Sequence, residues 1–476
     1  MGEFEDEWED EFEEDENVVD RTADKLAGEY EVVPPIEDEE PPAPKKRLFL
    51  PGSYELEDDE VLEPDMSVYE MLHPMGVTWS CLSFDVLRDH LGDQRAHYPA
   101  TAFIVTGTQT PKGTANELLV IKMSGLHKNR MVDDSDSEDS EDEDAVEDDP
   151  VVEMKSIPHT GGVNRVRAQS LPQTIGLPPV SSPYYAASWA ETGKVHIWDV
   201  RPLIEALNVP GHFFDRKTLS KGVYTVQSHG KAEGFAMDWS PVYPNMPAPR
   251  LLTGDIHSKI YLTSATPTGF KTDGQAFNSH SSSVEDIQWS PSESTVFASC
   301  SADQSIRIWD VRVKGRKSVL NVEGAHDSDV NVISWNRETS YLLVSGGDEG
   351  NIKIWDMRNF KGASAPAPSP VASFGWHTAP ITSIEWSPTE ESAFAASGAD
   401  DQITLWDLSV EADDEDVGAK EMVTAQGEAT KTVPPQLLFS HQGQKEIKEV
   451  HWHQQIPGAV ISTAAEGFNV FKTISF

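Results

Sequence analysis

Three stretches superpose position for position: HSSSVEDIQWSPSESTVFASCSADQSIRIWD (280–310), HDSDVNVISWNRETSYLLVSGGDEGNIKIWD (326–356) and HTAPITSIEWSPTEESAFAASGADDQITLWD (377–407). The same spacing joins the opening His to the closing Trp in each: His280 to Trp309, His326 to Trp355, His377 to Trp406. Each unit reads as a strand ending near a Trp-Ser-Pro turn, an apolar strand, an Asp-containing turn and an alternating strand. Ile306 with Ile308 and Ile352 with Ile354 show the period of two that turns one strand face into a core. A repeat of this length buries its apolar face only by stacking on neighbours, so the repeat is the unit from which the fold is built.

Weaker copies extend the pattern in both directions. His229…FAMDWSP…LLTGDIHSKIYLT lacks the final Trp, and His441…IKEVHWHQ…AVISTAAEGFNVFKTI ends the chain with Phe471 near that position. His159…NRVRAQS…YYAASWAETGKVHIWD precedes them, and TAFIVTGTQT…NELLVIKMSG reads as an earlier unit. Seven units result, at roughly 76–126, 157–201, 223–264, 275–312, 320–358, 371–409 and 436–476. The pattern resembles the WD40 repeat, with Trp-Asp at 198–199, 309–310, 355–356 and 406–407. The fold expected is therefore an all-β, seven-bladed propeller, in which radial repetition leaves few sheet edges exposed. That resemblance implies a buried hydrogen-bond chain in each blade, best copied in His280, Ser299, Asp303 and Trp309. Repeated in register, these His, Ser and Asp residues read as scaffold and not as a hydrolase triad. GVTWSCLSFDVL (76–87) is expected to supply the outer strand that closes the ring, and MSVYEMLHPMG (66–76) to form one short helix with Val68, Met71 and Leu72 inward.

Charge is unevenly placed. Of the formal net charge of −43, residues 1–64 carry −20, residues 133–149 carry −12 and residues 411–416 carry −5. The remaining body is close to an ordinary balance. Carboxylates at that density cannot be buried without cationic partners, so these stretches belong outside the core. The expected organisation is an acidic, mostly disordered arm at 1–64 and a propeller at 65–476. Acidic insertions at 131–155 and 410–433 are expected between units one and two and between units six and seven, where they can be long without disturbing a sheet. Cys81 and Cys300 are the only cysteines, which excludes a disulfide scaffold and suits a reducing compartment. No apolar h-region or spanning segment is visible, so a soluble, intracellular protein is expected.

Two families share these features. SVYEMLHPMGVTWSCLSFDVLRD and VPPQLLFSHQGQ resemble the histone-binding WD proteins of the retinoblastoma-associated type, which implies a groove lined by Tyr69, Met71, Leu72, Pro434, Pro435 and Leu437. The acidic residues that family carries before its two prolines are replaced here by Lys431-Thr432-Val433. The closer resemblance is to the glutamate-rich WD-repeat protein family, through the acidic start, KKRLFLPG (45–52), SVYEMLHPM and the interrupting Ser/Asp/Glu run. That resemblance implies a nuclear and nucleolar ribosome-biogenesis factor, with client capture extending to the cytoplasm. Its fungal member is a chaperone of the universal large-subunit ribosomal protein three.

The physics points the same way. Unassembled ribosomal proteins and histones carry dense cationic segments that bind RNA indiscriminately through phosphate charge. Flexible acidic segments on a rigid platform occupy and steer such clients. The expected client-binding carboxylates are Asp133, Asp134, Asp136, Glu138, Asp139, Glu141, Asp142, Glu143, Asp144, Asp413, Asp414, Glu415 and Asp416. Ser135, Ser137 and Ser140 lie among acids as phosphorylation candidates, each phosphate adding about two negative charges. The expected function is a non-enzymatic chaperone that shields a basic large-subunit ribosomal protein until it reaches a pre-ribosome. The alternatives are a histone chaperone or chromatin adaptor, and a substrate receptor of a cullin-type ubiquitin ligase, suggested by Trp-Asp-x-Arg at Arg201, Arg312 and Arg358. His451 and His453 share a strand face without a third ligand, so no metal is expected. No Walker loop, HExxH or nucleophile elbow occurs, and no cofactor is expected. The charge argues against direct nucleic-acid binding, and a monomer without membrane contact is expected.

Overall fold

The computed structural model describes residues 64–111, 115–129, 149–171, 181–246, 248–361, 368–411, 421–423 and 429–476. They form seven four-stranded antiparallel sheets arranged as the blades of a propeller. In the fourth blade the order from the channel outward is Val284–Trp289, Val296–Ser301, Ile306–Asp310 and Leu320–Val322. The fifth (Val330–Trp335, Leu342–Gly347, Ile352–Asp356, Ala372–Phe374) and sixth (Ile381–Trp386, Ala393–Gly398, Ile403–Asp407, Leu437–His441) repeat it. The second begins at Val163–Ala168 and the third at Ala236–Trp239.

The sequence repeat is one strand out of phase with the blade. Leu320–Val322 precedes the unit that opens at His326, yet it pairs with Ile306–Asp310 of the unit before. Closure of the ring follows from this offset. The seventh blade, Glu449–Trp452, Ala459–Ala464 and Gly467–Thr473, lacks a fourth strand of its own and takes Tyr69–Gly76 from the opposite end of the chain. Gly467 sits at the end of that pairing at φ 143°, where a Cβ would fall 2.1 Å from the Met75 carbonyl oxygen. The expected closing strand is therefore corrected: 69–76 closes the ring, while Phe84–Leu87 is the innermost strand of the first blade. The expected helix shrinks to the single 3-10 turn Met66–Val68, capped by Asp65. Val68, Met71, Leu72 and Met75 fit a helical spacing, but Pro74 would break a helix interior; Met71 and Met75 lie on one face of the strand and pack with the first-blade core, while Tyr69, across an irregularity in the pairing, packs on the other side towards the sixth blade.

Both acidic insertions are likewise moved. The first lies inside the first blade, between its third strand Asn116–Leu126 and its fourth, Val151–His159; residues 151–155 are strand and not insertion. The second lies inside the sixth blade, between Ile403–Asp407 and Leu437–His441, and includes the hairpin Glu421–Val423 with Ala429–Thr432. The helix Arg201–Asn208 in the second blade buries Leu203, Ile204 and Leu207 against Leu118, Val120 and Ile157 of the first. Among the described residues no helix is long and apolar enough to cross a membrane.

Between blades the core is aromatic and aliphatic. Trp189, Trp239, Trp309, Trp355, Trp406 and Trp452 are fully buried, and Trp309 stacks on Phe297 at 5.7 Å between centroids. Each such side chain contributes about 2–3 kcal/mol of transfer free energy, so the blades are held chiefly by these layers.

Candidate functional site

Within the blades, histidine satisfies what burial would leave unpaired. His280 joins Asp303 through Nδ1 at 3.0 Å and Ser299 through Nε2 at 2.7 Å, and the Trp309 indole donates to the same Ser299 hydroxyl at 2.8 Å. In the fifth blade the partners of His326 are Glu349 and Ser345, and in the sixth those of His377 are Asp400 and Thr404. The role is kept while the position supplying it shifts. His280 is pushed below its ordinary pKa by burial, against Asp303, which is itself held far down by its hydrogen bonds to His280 and Ser305 although burial opposes this. In each of these blades the imidazole bridges two side-chain oxygens as a structural strut.

Around the channel a second network joins the blades to one another. Innermost strands of neighbouring blades splay apart, so their facing amides lack a sheet partner, and each must be satisfied when buried. Side chains do this at nearly every junction. Asp85 accepts from the Ala168 amide at 2.8 Å, and Asp238 from Trp289 at 2.7 Å. Asp286 accepts from Ile333 at 3.1 Å, and Gln288 from Trp335 at 2.8 Å. Ser334 accepts from Trp386 at 3.1 Å, and Glu385 from Trp452 at 3.0 Å. Between the second and third blades the roles invert, and Arg165 donates to the Phe235 carbonyl at 2.8 Å. Glu449 closes the circle by accepting from the Phe84 amide at 2.8 Å.

Several of these side chains are charged. Glu449, with a side chain fully out of solvent, binds both Arg165 and Arg167. Burial would raise its carboxyl, but Arg167, Arg165 and His451 outweigh that and hold it well below the usual carboxylate range. His451 sits between Glu385 at 3.0 Å and Glu449 at 3.7 Å; burial would lower it, yet the two carboxylates lift it to about 10. His453 turns away from this cluster and accepts the Gln455 and Ile456 amides, and burial pushes it down to about 3. The two histidines thus hold different charge states and no common ligand. Among the described residues no group of three or more His, Cys, Asp or Glu could hold a metal.

Asp238 offers a test of the junction network. Burial pushes its carboxyl up to about 7, with Asp286 and Asp85 adding to the effect against the Trp289 amide and Arg167. An acid that holds its proton more tightly when folded loses stability as the pH rises from its ordinary value through the folded one. Asparagine keeps the oxygen that accepts from Trp289 and carries no charge. Asp238→Asn should therefore stabilise the protein by about 1–3 kcal/mol at pH 8, raising Tm, with the gain shrinking towards pH 4. A Tm that falls equally at both pH values would show that the carboxylate itself is required.

The face on which the inner strands begin carries the clearest acidic feature among the described residues. Glu285, Asp327, Asp329 and Asp348 stand on the fourth and fifth blades, and none is in an ion pair there. The Asp348 amide donates to the Asp329 carbonyl at 2.9 Å; the Asp329 carboxyl is raised by partial burial and by the Asp348 charge beside it. Crowded like charges of this kind favour a cationic guest. Sequence reading passed over these four because each looks like an ordinary polar residue of a connection; the fifth blade gathers Asp327, Asp329 and Asp348, and its packing on the fourth adds Glu285.

Of the expected client-binding groups, the carboxylates at 133–144 and 413–416 and the serines at 135, 137 and 140 lie outside the described residues. Their points of attachment do not, and these gather on one arc. Asn129, which leads into the first acidic run, donates through its amide side chain to the Tyr69 carbonyl at 3.2 Å and through its backbone to Glu70 at 2.9 Å. Tyr69 in turn packs edge-on against Phe439, just past the second insertion, at 5.2 Å. The stretch preceding Pro64, the run after Asn129 and the insertion before Val433 are therefore carried by the adjacent seventh, first and sixth blades.

The expected groove is partly closed. Tyr69 and Met71 are core residues, and the Tyr69 hydroxyl is 2.7 Å from His441. They face inward because they belong to the closing strand. Leu72, Pro434 and Leu437 are half-buried, and Pro435, Met66 and Ile474 are exposed. The Trp-Asp-x-Arg arginines also divide. Arg312 and Arg358 fold back as forks on Asp310 and Asp356, exposed on the surface, whereas Arg201 is buried and bound to Glu205 at 2.8 Å.

Comparison with known proteins adds family to this geometry. Residues 59–127 match the family of the histone-binding protein RBBP4, which also takes in a component of the CAF1 complex, and residues 272–310, 317–356 and 368–407 match the WD domain, G-beta repeat. The chain is 47% identical over 476 residues to a ribosome assembly protein, rrb1, of Schizosaccharomyces pombe, covering all of this chain and 94% of that one. It is 43% identical to the glutamate-rich WD repeat-containing protein 1 of Dictyostelium discoideum, over 90% of this chain and 85% of that one. It is 43% identical to the protein HEAT STRESS TOLERANT DWD 1 of Arabidopsis thaliana, over 90% of this chain and 92% of that one.

Proposed function

Because the chain belongs to the glutamate-rich WD-repeat protein family, we propose that it serves ribosome assembly as a chaperone. In this reading it captures a basic protein of the large ribosomal subunit, shields it in the nucleus and nucleolus, and releases it to the pre-ribosome without chemistry of its own. The family includes a fission-yeast ribosome assembly protein, alike over the full length, which supports the pathway. One observation supports the basic client. Stretches that carry 37 of the 43 net negative charges attach to three neighbouring blades, where Asn129, Tyr69 and Phe439 touch. Acidic stretches attached at one arc of a rigid ring can act on one client at once, as linked weak sites do, whereas stretches that served solubility alone would have no reason to share an arc. Glu285, Asp327, Asp329 and Asp348 would then hold a cationic segment of the client on the ring itself. Phosphate on Ser135, Ser137 or Ser140 would deepen the negative field by about two charges each.

A second reading rests on the match to the histone-binding family over residues 59–127 and would make the client a core histone. Purification of the native complex in moderate salt, followed by crosslinking and mass spectrometry, separates the two. A large-subunit ribosomal protein should dominate and crosslink to the arc of the sixth, seventh and first blades. Dominance of core histones, or of a ligase adaptor held through Arg312 and Arg358, would displace the proposal.

A further inference from the structure

The arc opposite these attachments carries charge of the other sign, in a chain whose net charge is −43. Residues 312–317 read RVKGRK and form the hairpin that joins the third and fourth strands of the fourth blade. Two of its cations are neutralised locally: Arg312 by its fork on Asp310, and Arg316 by Asp273 at 2.6 Å. The remaining ones are not. Lys314 and Lys317 are exposed and form no ion pair among the described residues, and Lys317 reaches only the Asn278 carbonyl, at 3.1 Å. Lys361 of the fifth blade is brought alongside, where its carbonyl accepts from Asn321 of the fourth blade. Lys271, exposed on the outer strand of the third blade, lies two residues from the Asp273 that anchors Arg316. Arg316 also stacks on Phe277 at 4.5 Å, so the hairpin that presents Lys314 and Lys317 is held in place.

We propose that this lysine strip across the third, fourth and fifth blades binds the phosphate backbone of RNA. Four lysines without carboxylate partners among the described residues, on adjoining segments of three blades, supply point charges suited to phosphate. The exposed side chains among them, Val313, Val319 and Val371, are aliphatic and offer no ring on which a base could stack. Binding should therefore be independent of sequence. The net charge of the chain argues against nucleic acid, but the stretches that carry it join the ring on the sixth, seventh and first blades. Fixed charges of the ring act on the strip only within about 8 Å at physiological ionic strength, and none of the four lysines is in an ion pair among the described residues. The inference is independent of the client: it gives the ring one arc for a cationic protein and another for RNA.

The test uses the full chain, a labelled 30-nucleotide single-stranded RNA and fluorescence anisotropy. With four phosphate contacts to a single strand, affinity should fall roughly 50-fold between 50 and 200 mM salt. The quadruple variant Lys271→Glu, Lys314→Glu, Lys317→Glu, Lys361→Glu should lose binding and its salt dependence with Tm unchanged, since all four side chains are at the surface. Absence of binding by the unaltered chain at 50 mM salt overturns the proposal, as does equal binding by the variant. If RNA binds only after residues 133–149 are removed, and the strip crosslinks to that segment in the intact chain, the occupant is the protein's own acidic run and the proposal also fails. The outcome is independent of the client pull-down, so either result can fail alone.

Discussion

Replacing Glu449 by glutamine should destabilise the propeller by about 3–5 kcal/mol, more than any other single change at the junctions between blades. The carboxylate has three tasks that one amide cannot share. One oxygen receives Arg165 and Arg167, and the other receives the Phe84 amide and lies 3.7 Å from the charged His451. Glutamine offers one acceptor and one donor where only acceptors fit. Either the oxygen stays with the two arginines, which lose their counter-charge, and an N–H is turned against the Phe84 amide, or the oxygen takes the Phe84 amide and an N–H is turned against the arginines; in both cases buried polar groups lose partners. The position makes the loss global, because Glu449 is the junction at which the seventh blade meets the first. Ser334→Ala removes a neutral bond at the junction of the fifth and sixth blades and should cost only about 1 kcal/mol. Equilibrium unfolding in urea measures both.

The pH dependence carries the same signature with a defined sign. Glu449 is held below its ordinary value, so its contribution is present above about pH 4.5 and is lost as the pH falls through the folded value. His451 is raised to about 10, so its contribution is complete below its ordinary value of 6.5 and fades as the pH climbs towards 10. The unaltered protein should therefore lose stability at both ends, and Glu449→Gln should flatten the curve at both. A variant within about 1 kcal/mol of the parent at pH 7 would mean that the tryptophan layers alone close the ring.

The junction network also shows what a single sequence can and cannot disclose. The constant distance from His280 to Trp309, repeated at 326 and 377, is local information, and it carries both the blade and its internal strut. The polar positions in VEDIQW and ITSIEW look outward in a period-two reading, and Asp286 and Glu385 do leave the strand face that packs on the core. What lies outside is a channel and not solvent, and that depends on closure of all seven blades. The closing strand was hidden for a related reason. Tyr69–Gly76 fits helix and strand periods alike over eight residues, and its partner, Gly467–Thr473, is at the far end of the chain. The acidic insertions were visible as composition; their placement inside the first and sixth blades follows from the one-strand offset between repeat and blade. Of the acidic rim, Asp327, Asp329 and Asp348 share the repeat at 326–356, where the blade folds its two turns together, whereas Glu285 belongs to the repeat before and joins them only when the blades stand side by side.

Removing residues 133–149 should weaken capture of the basic client by on the order of tenfold to a hundredfold at 50 mM salt, with little change at 500 mM. The run contributes −12 of charge and leaves the fold at Asn129, which is bound to Tyr69 and Glu70 in the closing strand. It is therefore attached beside the points where the other two acidic stretches join the ring. Attraction between a dense run of carboxylates and a cationic segment acts mainly on the rate of encounter, so the loss should appear chiefly as slower association. Tm should stay within about 2 °C, because the strands flanking the run pair with each other from Asn116↔His159 to Ser124↔Val151 without it. Neutralising the rim through Asp327→Asn, Asp329→Asn and Asp348→Asn should act differently. Those carboxylates are fixed on the ring, and their loss should raise the dissociation rate with less effect on association. If the deletion leaves association unchanged at every salt concentration while the rim variant releases the client, the ring alone holds it and the acidic run serves solubility. If both change the same rate, the two act on one segment of the client.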